Sequence, residues 1–452
     1  MNLILSLYYI IIKHKYNIVD NMNNIKWCAI QPLTGGMYIG AEEAIGHKAE
    51  FILSYPGLAE PNIDEETGKV ISAGNEYSLM KFLEKRNDLP EYRVFNRAMF
   101  QNDNDMNPEI ITTRWSKSDK PLDYSNMDLC VAVPVCSGLS RASATMAAET
   151  RDERNCNMSW ITKYALNVIK PKCYIFENAP AMMNQYGDYM RKQLEQIAKN
   201  AGYSVCYYKT NTLYHHNAQK RLRTFILFFK QDDMNNIQNP SLGFEHNTIP
   251  LDKYLAMIPA DATQQYPMEL DDINMLLFDF YQHKFGNGWM ETIGGDITKY
   301  TVANKLFNEI NEYINTRTDI EERRRTHVIK FINHLDDKTS RGMGVFSFVG
   351  YRPHNNTSRA IMFKTIVSQM HPTEYRLMTI RENMWLMGLP HDFELQGDIK
   401  TEFRKIGQNV PVKTAKWIVE QALNAPNTEH NNKLVRYFDN VSMKEQKYNE
   451  AA

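Results

Sequence analysis

The sequence lacks most of the features that would classify a chain at a glance. Its six cysteines, Cys28, Cys130, Cys136, Cys156, Cys173 and Cys206, form no C-x-x-C pair. That excludes a zinc ribbon and a dense disulfide framework, and it fits a reducing, cytoplasmic setting, a host cell's cytoplasm if the gene is viral. Charge of one sign is missing too: 52 Lys and Arg against 53 Asp and Glu leave a net charge of -1. No chain-wide basic field announces nucleic acid, so an anionic partner must be met by a local patch. The apolar run near the N-terminus, "LILSLYYIII", is roughly ten residues and too short to span a bilayer. It has neither a basic leader nor an A-x-A site, and residues 1–22 read as an extension, with a packed strand or a membrane-touching segment as the alternative. The histidines of "YHHN" (214–217) and "HVIKFINH" (327–334) lack metalloprotease spacing, so no metal is expected. Internal repeats and low-complexity tracts are absent.

What the chain does have is alternation. At 452 residues it is long enough for two or three domains. Between residues 26 and 230, the runs "WCAIQPL", "EFILSY", "DLCVAVPV", "CYIFENAP" and "RTFILFFK" are nearly continuous in apolar character, as strands covered on both faces must be. Helical spacing separates them, for example Trp160, Tyr164, Val168 and Met190, Leu194, Ile197. The pattern predicts an α/β fold: a mostly parallel, Rossmann-like sheet flanked by helices, with a second, smaller domain. The large lobe should comprise 23–230, completed by 395–425, and the small lobe 231–394, with 426–452 a polar tail. Within the small lobe the charge segregates: residues 261–322 hold twelve acids and four Lys or Arg, and 323–376 hold ten Lys or Arg and three acids. That swing suggests either a basic binding face or a solvated helix.

In parallel sheets, ligands gather beyond the carboxyl ends of the strands. Cys136 lies just past "DLCVAVP", and Glu177 ends "CYIFE" on another strand. A thiolate there can act as nucleophile and a nearby glutamate can handle a substrate proton. Singly, such a cysteine is usually packing and "FEN" a surface turn.

Five stretches taken in order give the pair a meaning. "DLCVAVPVCSGLS" resembles the Pro-Cys loop of the cytosine-C5 DNA methyltransferases, "PKCYIFENAP" their Glu-Asn motif, and "AQKRLRTFIL" their Gln-x-Arg-x-Arg strand. "RLMTIRENMWLMGLPHDF" (376–393) is similar to their Arg-Glu helix, and "KIGQNVPVKTA" (405–415) to their closing Gly-Asn motif. The resemblance implies S-adenosylmethionine as cofactor, no metal, duplex DNA as partner and a monomer. It makes Cys136 the nucleophile at cytosine C6, Glu177 the contact to N3 and the amine, and Arg223 the contact to O2. Arg221 would brace the site, Asn178 orient the Glu177 turn, and Pro134 fix the backbone presenting the thiol. Because C6 lies inside the base stack, the target base must be turned out of the duplex. Residues 137–155, rich in small side chains, suit a lid. DNA contacts are expected from Ser137, Arg141, Gln219, Arg341, Arg352 and Arg359.

The cofactor end departs from the family's pattern. Thr34, Gly35, Gly36, Gly40, Tyr55, Asn409 and Val410 are the expected cofactor contacts, but Gln31 replaces the family's Phe and Leu33 its first Gly. "AEFILSYPG" offers Ser54 and Tyr55 where a ribose-binding acid is expected. These departures leave open an RNA-directed enzyme, a modified sulfonium cofactor, or a relative that binds DNA without catalysis. Ordinary DNA cytosine-C5 methylation, as in restriction-modification systems, is the favoured reading.

Overall fold

A computed structural model describes residues 24–139, 151–244, 246–262, 272–289, 293, 297–342, 356–361, 369, 371–374, 376–424, 427–428 and 433–439. Its centre is a nine-stranded sheet. The strands are β1 (Trp27–Ile30), β2 (Phe51–Ser54), β3 (Glu91–Phe95), β4 (Ile110–Thr112), β5 (Leu129–Ala132), β6 (Cys173–Asn178), β7 (Tyr203–Asn211), β8 (Leu222–Lys230) and β9 (Val435–Asp439). They lie side by side as β9-β7-β8-β6-β5-β1-β2-β3-β4. The run β3-β2-β1-β5-β6 is parallel throughout, and β8 is antiparallel to both β6 and β7. The α/β class expected from the alternating runs is therefore what the chain forms.

Period-two alternation sends each strand's side chains to two separate cores. Trp27 and Ala29 of β1 join one apolar cluster with Leu129, Val131, Ile175, Phe225 and Leu227. Cys28 and Ile30 join the other with Cys130, Ala132, Phe176, Ile226 and Phe228. The first face is covered by α1 (Gly36–Ile45), α2 (Tyr77–Lys85), α10 (Ile399–Ile406) and the returning helix α11 (Val412–Asn424). The second is covered by α3 (Arg151–Tyr164) and α4 (Asp188–Ala201). Burial on both faces explains why these strands read as unbroken apolar runs.

A third apolar cluster belongs to a helical lobe made of α5 (Asp272–Phe285), α6 (Ile297–Ala303), α7 (Phe307–Thr316) and α8 (Glu322–Ser340). Leu377 closes that cluster, while the next residue, Met378, belongs to the sheet's core. Helix α9 (Ile380–Leu386) thus starts at the joint. It opens with a capping box between Thr379 and Glu382, and Arg376 donates to both Glu382 oxygens.

Two sequence-based boundaries move. Residues 251–255, assigned to the small lobe, bury Leu251, Tyr254 and Leu255 in the sheet's core. Residues 435–439, assigned to a polar tail, pair with β7 in parallel and stack Tyr437 on Tyr207. The apolar alternation of "VRYFD" is short and sits among polar residues, so it reads as a tail until the β7 edge is there to receive it. Among the described residues no helix is long and apolar enough to cross a membrane, and no group of three or more His, Cys, Asp or Glu is placed to hold a metal ion.

Candidate active site

Antiparallel pairing builds the site's charged half. Phe225 of β8 is registered opposite Glu177 of β6, so Arg223, two residues away, falls on the same face as Glu177 and diagonal to it. Its Nε lies 2.5 Å from Glu177 Oε1, and Glu177 is only 4% exposed. Burial raises the Glu177 carboxyl above its ordinary range, while the Arg223 and Arg221 charges pull it back. Cys136 approaches from the loop after β5, half-buried. Its thiol is pushed up by burial and by Glu177, and pulled down by Arg223 and Arg221. Glu177 and Arg223 are thus in direct contact, and Cys136 ends the loop after β5, the strand beside β6. The pocket holds a protonated thiol at rest and two cations ready to favour its anion.

The loop is held by its neighbours. Val135 N–H donates to Asn157 Oδ1 at 3.1 Å, and Asn157 Nδ2 donates to the Tyr55 hydroxyl at 3.0 Å and to Met99 O at 3.3 Å. Pro134 is buried. Asn178 accepts from Ala179 N at 2.9 Å, fixing the turn after Glu177. Ser137 lies in the short 3-10 turn Ser137–Leu139. Arg141 and most of the expected lid fall outside the described residues.

Arg221 is 1% exposed, and burial draws its pKa well down. Its guanidinium donates to Ile361 O at 2.5 Å, Gly407 O at 2.9 Å and Asn409 O at 3.0 Å. Asn409 Oδ1 in turn accepts from Gly36 N at 2.6 Å. One arginine beside the thiol thus ties the returning segment to the first turn of α1.

That tie changes the reading of the glycines. A Cβ on Gly36 would lie 1.8 Å from Val410 O, and one on Gly40 would lie 2.6 Å from both Ala415 Cβ and Val412 O. These glycines make room for the chain's own returning segment, so the expected cofactor role of Gly40 gives way to helix packing. Thr34 is also occupied, its hydroxyl 3.3 Å from Lys405 O. The loop before α1 keeps a turn of left-handed residues: Gln31 at φ 50°, Leu33 at φ 52° and Gly35 at φ 100°. Leu33 adopts the glycine-like conformation of the residue it replaces, a strained state for a side chain with a Cβ.

S-adenosylmethionine fits the amino-acid half of this end. Gln31 Oε1 and Asn409 Nδ2 are buried and have no hydrogen-bond partner, an acceptor and a donor flanking the first turn of α1. The ribose carboxylate missing from β2 has a counterpart one layer back: Glu76, wholly buried, accepts from Ser54 Oγ at 2.8 Å and Tyr92 OH at 2.9 Å. It also takes the Leu33 N–H, so it props the loop from beneath. Burial pushes its carboxyl up to about 7 despite those three donors. A carboxyl whose folded value lies above its ordinary 4.5 stabilises the fold fully below that ordinary value. The contribution is lost as pH rises through about 7. Urea unfolding should therefore show the native chain gaining about 3 kcal/mol between pH 8 and pH 4.5 relative to Glu76→Gln. Parallel pH profiles for the two proteins would remove Glu76 from this role.

Of the expected DNA contacts, Gln219 is corrected. It is 0% exposed beneath Met387, in a two-residue pairing with Ser358–Arg359 that turns it inward. Arg359 is half-buried there, Arg341 is exposed and paired with Asp337, and Arg352 lies outside the described residues. Sequence reasoning missed Glu76 and Asn157. Asn157 carried a signal, a polar residue one turn before Trp160 and Tyr164 on the same buried stripe, but Glu76 carried none.

Fold and site together define a class: α/β proteins that set a thiol, a carboxylate and a guanidinium near the carboxyl edge of a parallel sheet. The profile of the C-5 cytosine-specific DNA methylases matches residues 96–424, most of the chain, and the protein belongs to that family of S-adenosylmethionine-dependent methyltransferases. The match begins after β1–β3, the strands that carry the departures at Gln31, Leu33 and Ser54. Among solved structures, a protein described as a DNA modification methyltransferase encoded within an E. coli prophage is 16% identical, with a TM-score of 0.45 over 89% of this chain and 99% of its own. A triple mutant of Spodoptera frugiperda DNMT2 is 11% identical, with a TM-score of 0.45 over 89% and 100%. The Entamoeba histolytica methyltransferase EhMeth is 10% identical, with a TM-score of 0.47 over 88% and 98%. No curated protein's sequence matches the chain significantly.

Proposed function

We propose that the protein methylates C5 of a cytosine in double-stranded DNA, with Cys136 as nucleophile. The observation that carries this reading is the buried Glu177–Arg223 ion pair at the end of β6, with the Cys136 thiol on the loop that ends the neighbouring strand β5. Cytosine C5 is a poor nucleophile until an electron pair is added to the ring. The target base turns out of the stack, and the Cys136 thiolate forms a bond to C6, helped by the two arginine charges. Glu177, with its raised carboxyl, takes up the proton that the thiol gives up and donates it to N3 as the ring accepts electrons. Arg223 faces O2 and favours the charge that develops there. S-adenosylmethionine, when bound, supplies the methyl group that C5 takes; Gln31, Gly35 and Asn409 are the residues to hold it, while the expected Tyr55 is taken up by Asn157 and the core. The C5 proton then leaves to water, the electron pair of its bond expels the Cys136 thiolate, and N3 returns its proton to Glu177, restoring the neutral aromatic ring. Arg221 acts by position, keeping 407–409 against α1 while its charge supports the thiolate.

Incubation with unmodified duplex DNA and the cofactor, followed by mass spectrometry of the nucleosides, tests the reading. Deoxycytidine should gain one methyl group. Methylation of an RNA of matching sequence with no change in the DNA would reassign the substrate, and no modified nucleoside in either would end the enzymatic reading.

A further inference from the structure

Helix α8 carries an unpaired stripe of two cations and two histidines that the active site does not use. Val328, Ile332 and Leu335 turn into the core of the helical lobe. On the opposite side Arg323, His327, Lys330 and His334 follow one another at steps of four, three and four and are exposed, so they form a single line along the helix. None of the four has a hydrogen-bond or ion-pair partner among the described residues, whereas the flanking Arg325 is paired with Glu322 and Arg341 with Asp337. From Arg323 to His334 the line runs about 16 Å, the axial span of about five phosphates on one strand of a duplex.

We infer that this stripe of α8 is a phosphate-tracking surface that seats the backbone of a DNA duplex on the helical lobe, an inference that rests on the proposed DNA substrate. Three observations favour that partner. The helix's apolar face is already buried in its own lobe, so it cannot lie in a membrane interface as free basic amphipathic helices do. The stretch before α8 is acidic: residues 261–320 carry ten acids against four Lys or Arg, with Glu309 and Glu312 on α7 and Asp272 and Asp279 on α5, so a polyanion meets less repulsion along the Arg323–Lys330 line of α8. The helix's N-terminal dipole adds positive potential at the Arg323 end. Cations that contact phosphate position a duplex without reading its sequence, so the stripe contributes affinity and orientation.

The test uses the full chain and a fluorescein-labelled duplex oligonucleotide, with affinity measured by anisotropy across a salt series. The double variant R323A/K330A should lower the slope of log affinity against log salt by about two, close to one for each phosphate contact removed. Its binding at about 0.1 M salt should weaken by roughly tenfold or more. H327A/H334A should weaken binding more modestly. The control K192A/K199A, on the exposed side of α4, should leave slope and affinity unchanged. A wild-type slope in R323A/K330A overturns the stripe while leaving the proposed function standing. A wild-type chain that binds no duplex at any salt overturns the DNA reading itself. Polyglutamate competing as strongly as DNA at equal charge would reassign the surface to an acidic protein.

Discussion

Replacing Arg221 with methionine should lower the unfolding free energy by about 3–5 kcal/mol, one of the largest single-site losses expected in the chain. The side chain is fully buried, and its nitrogens satisfy carbonyls at Ile361, Gly407 and Asn409. Each buried acceptor left without a donor costs roughly 1–3 kcal/mol, less whatever relaxation recovers. Methionine fills the volume and returns none of the bonds. Lysine restores the charge but cannot fork to three separate oxygens, so Arg221→Lys should recover only part of the loss. The damage should reach the cofactor loop, because Asn409 links Arg221 to Gly36. Urea unfolding of the two variants checks this. A methionine variant with wild-type stability that fails only in catalysis would recast Arg221 as a direct substrate contact.

The largest effect on activity is expected at Cys136. Serine in its place changes one atom of a half-buried side chain and should leave the fold intact. Its hydroxyl ionises far less readily than a thiol, so attack on C6 should slow by roughly a thousandfold or more. Glu177→Gln keeps the shape and can carry no proton to N3, a loss of roughly 10²–10⁴ in rate. Glu177→Gln also frees Arg223 from its ion pair and takes a negative charge from beside the thiol. Thiolate should therefore form more easily in that variant even as methylation falls, a pairing of effects that a merely structural glutamate would not give.

What the sequence made legible was local in the chain. Cys136, Glu177 and Arg223 each sit at a strand's end within a short motif, and alternating strands and helices are enough to place such ends along one edge of a sheet. The residues that support them depend on distant partners. Glu76 stands twenty-two residues after Ser54, and Asn409 is 373 positions from the amide it caps; no periodicity connects either pair. Gln219 was misread because a motif position says which strand a side chain belongs to and not which way a two-residue pairing turns it. Gly36 and Gly40 were read toward a ligand, although the same lack of a Cβ serves equally well where α11 crosses α1 at close range. The helical lobe's charge segregation was visible, and on the inference drawn for α8 it divides between the two readings. Paired residues such as Arg325 and Arg341 form the solvated flank, and the unpaired line from Arg323 to His334 forms the face.

The central claim is that Cys136 becomes covalently attached to the cytosine ring and is released only when the C5 proton leaves. A duplex containing 5-fluorocytosine tests it most directly, because fluorine cannot depart from C5 as a proton does and the thiol is then not expelled. In the presence of S-adenosylmethionine, the wild-type chain should form a denaturation-resistant complex whose added mass maps by peptide sequencing to Cys136, and Cys136→Ser should form none. Methylation of ordinary cytosine with no trapped complex on the fluorinated duplex, or a complex mapping to a different residue, would contradict the account.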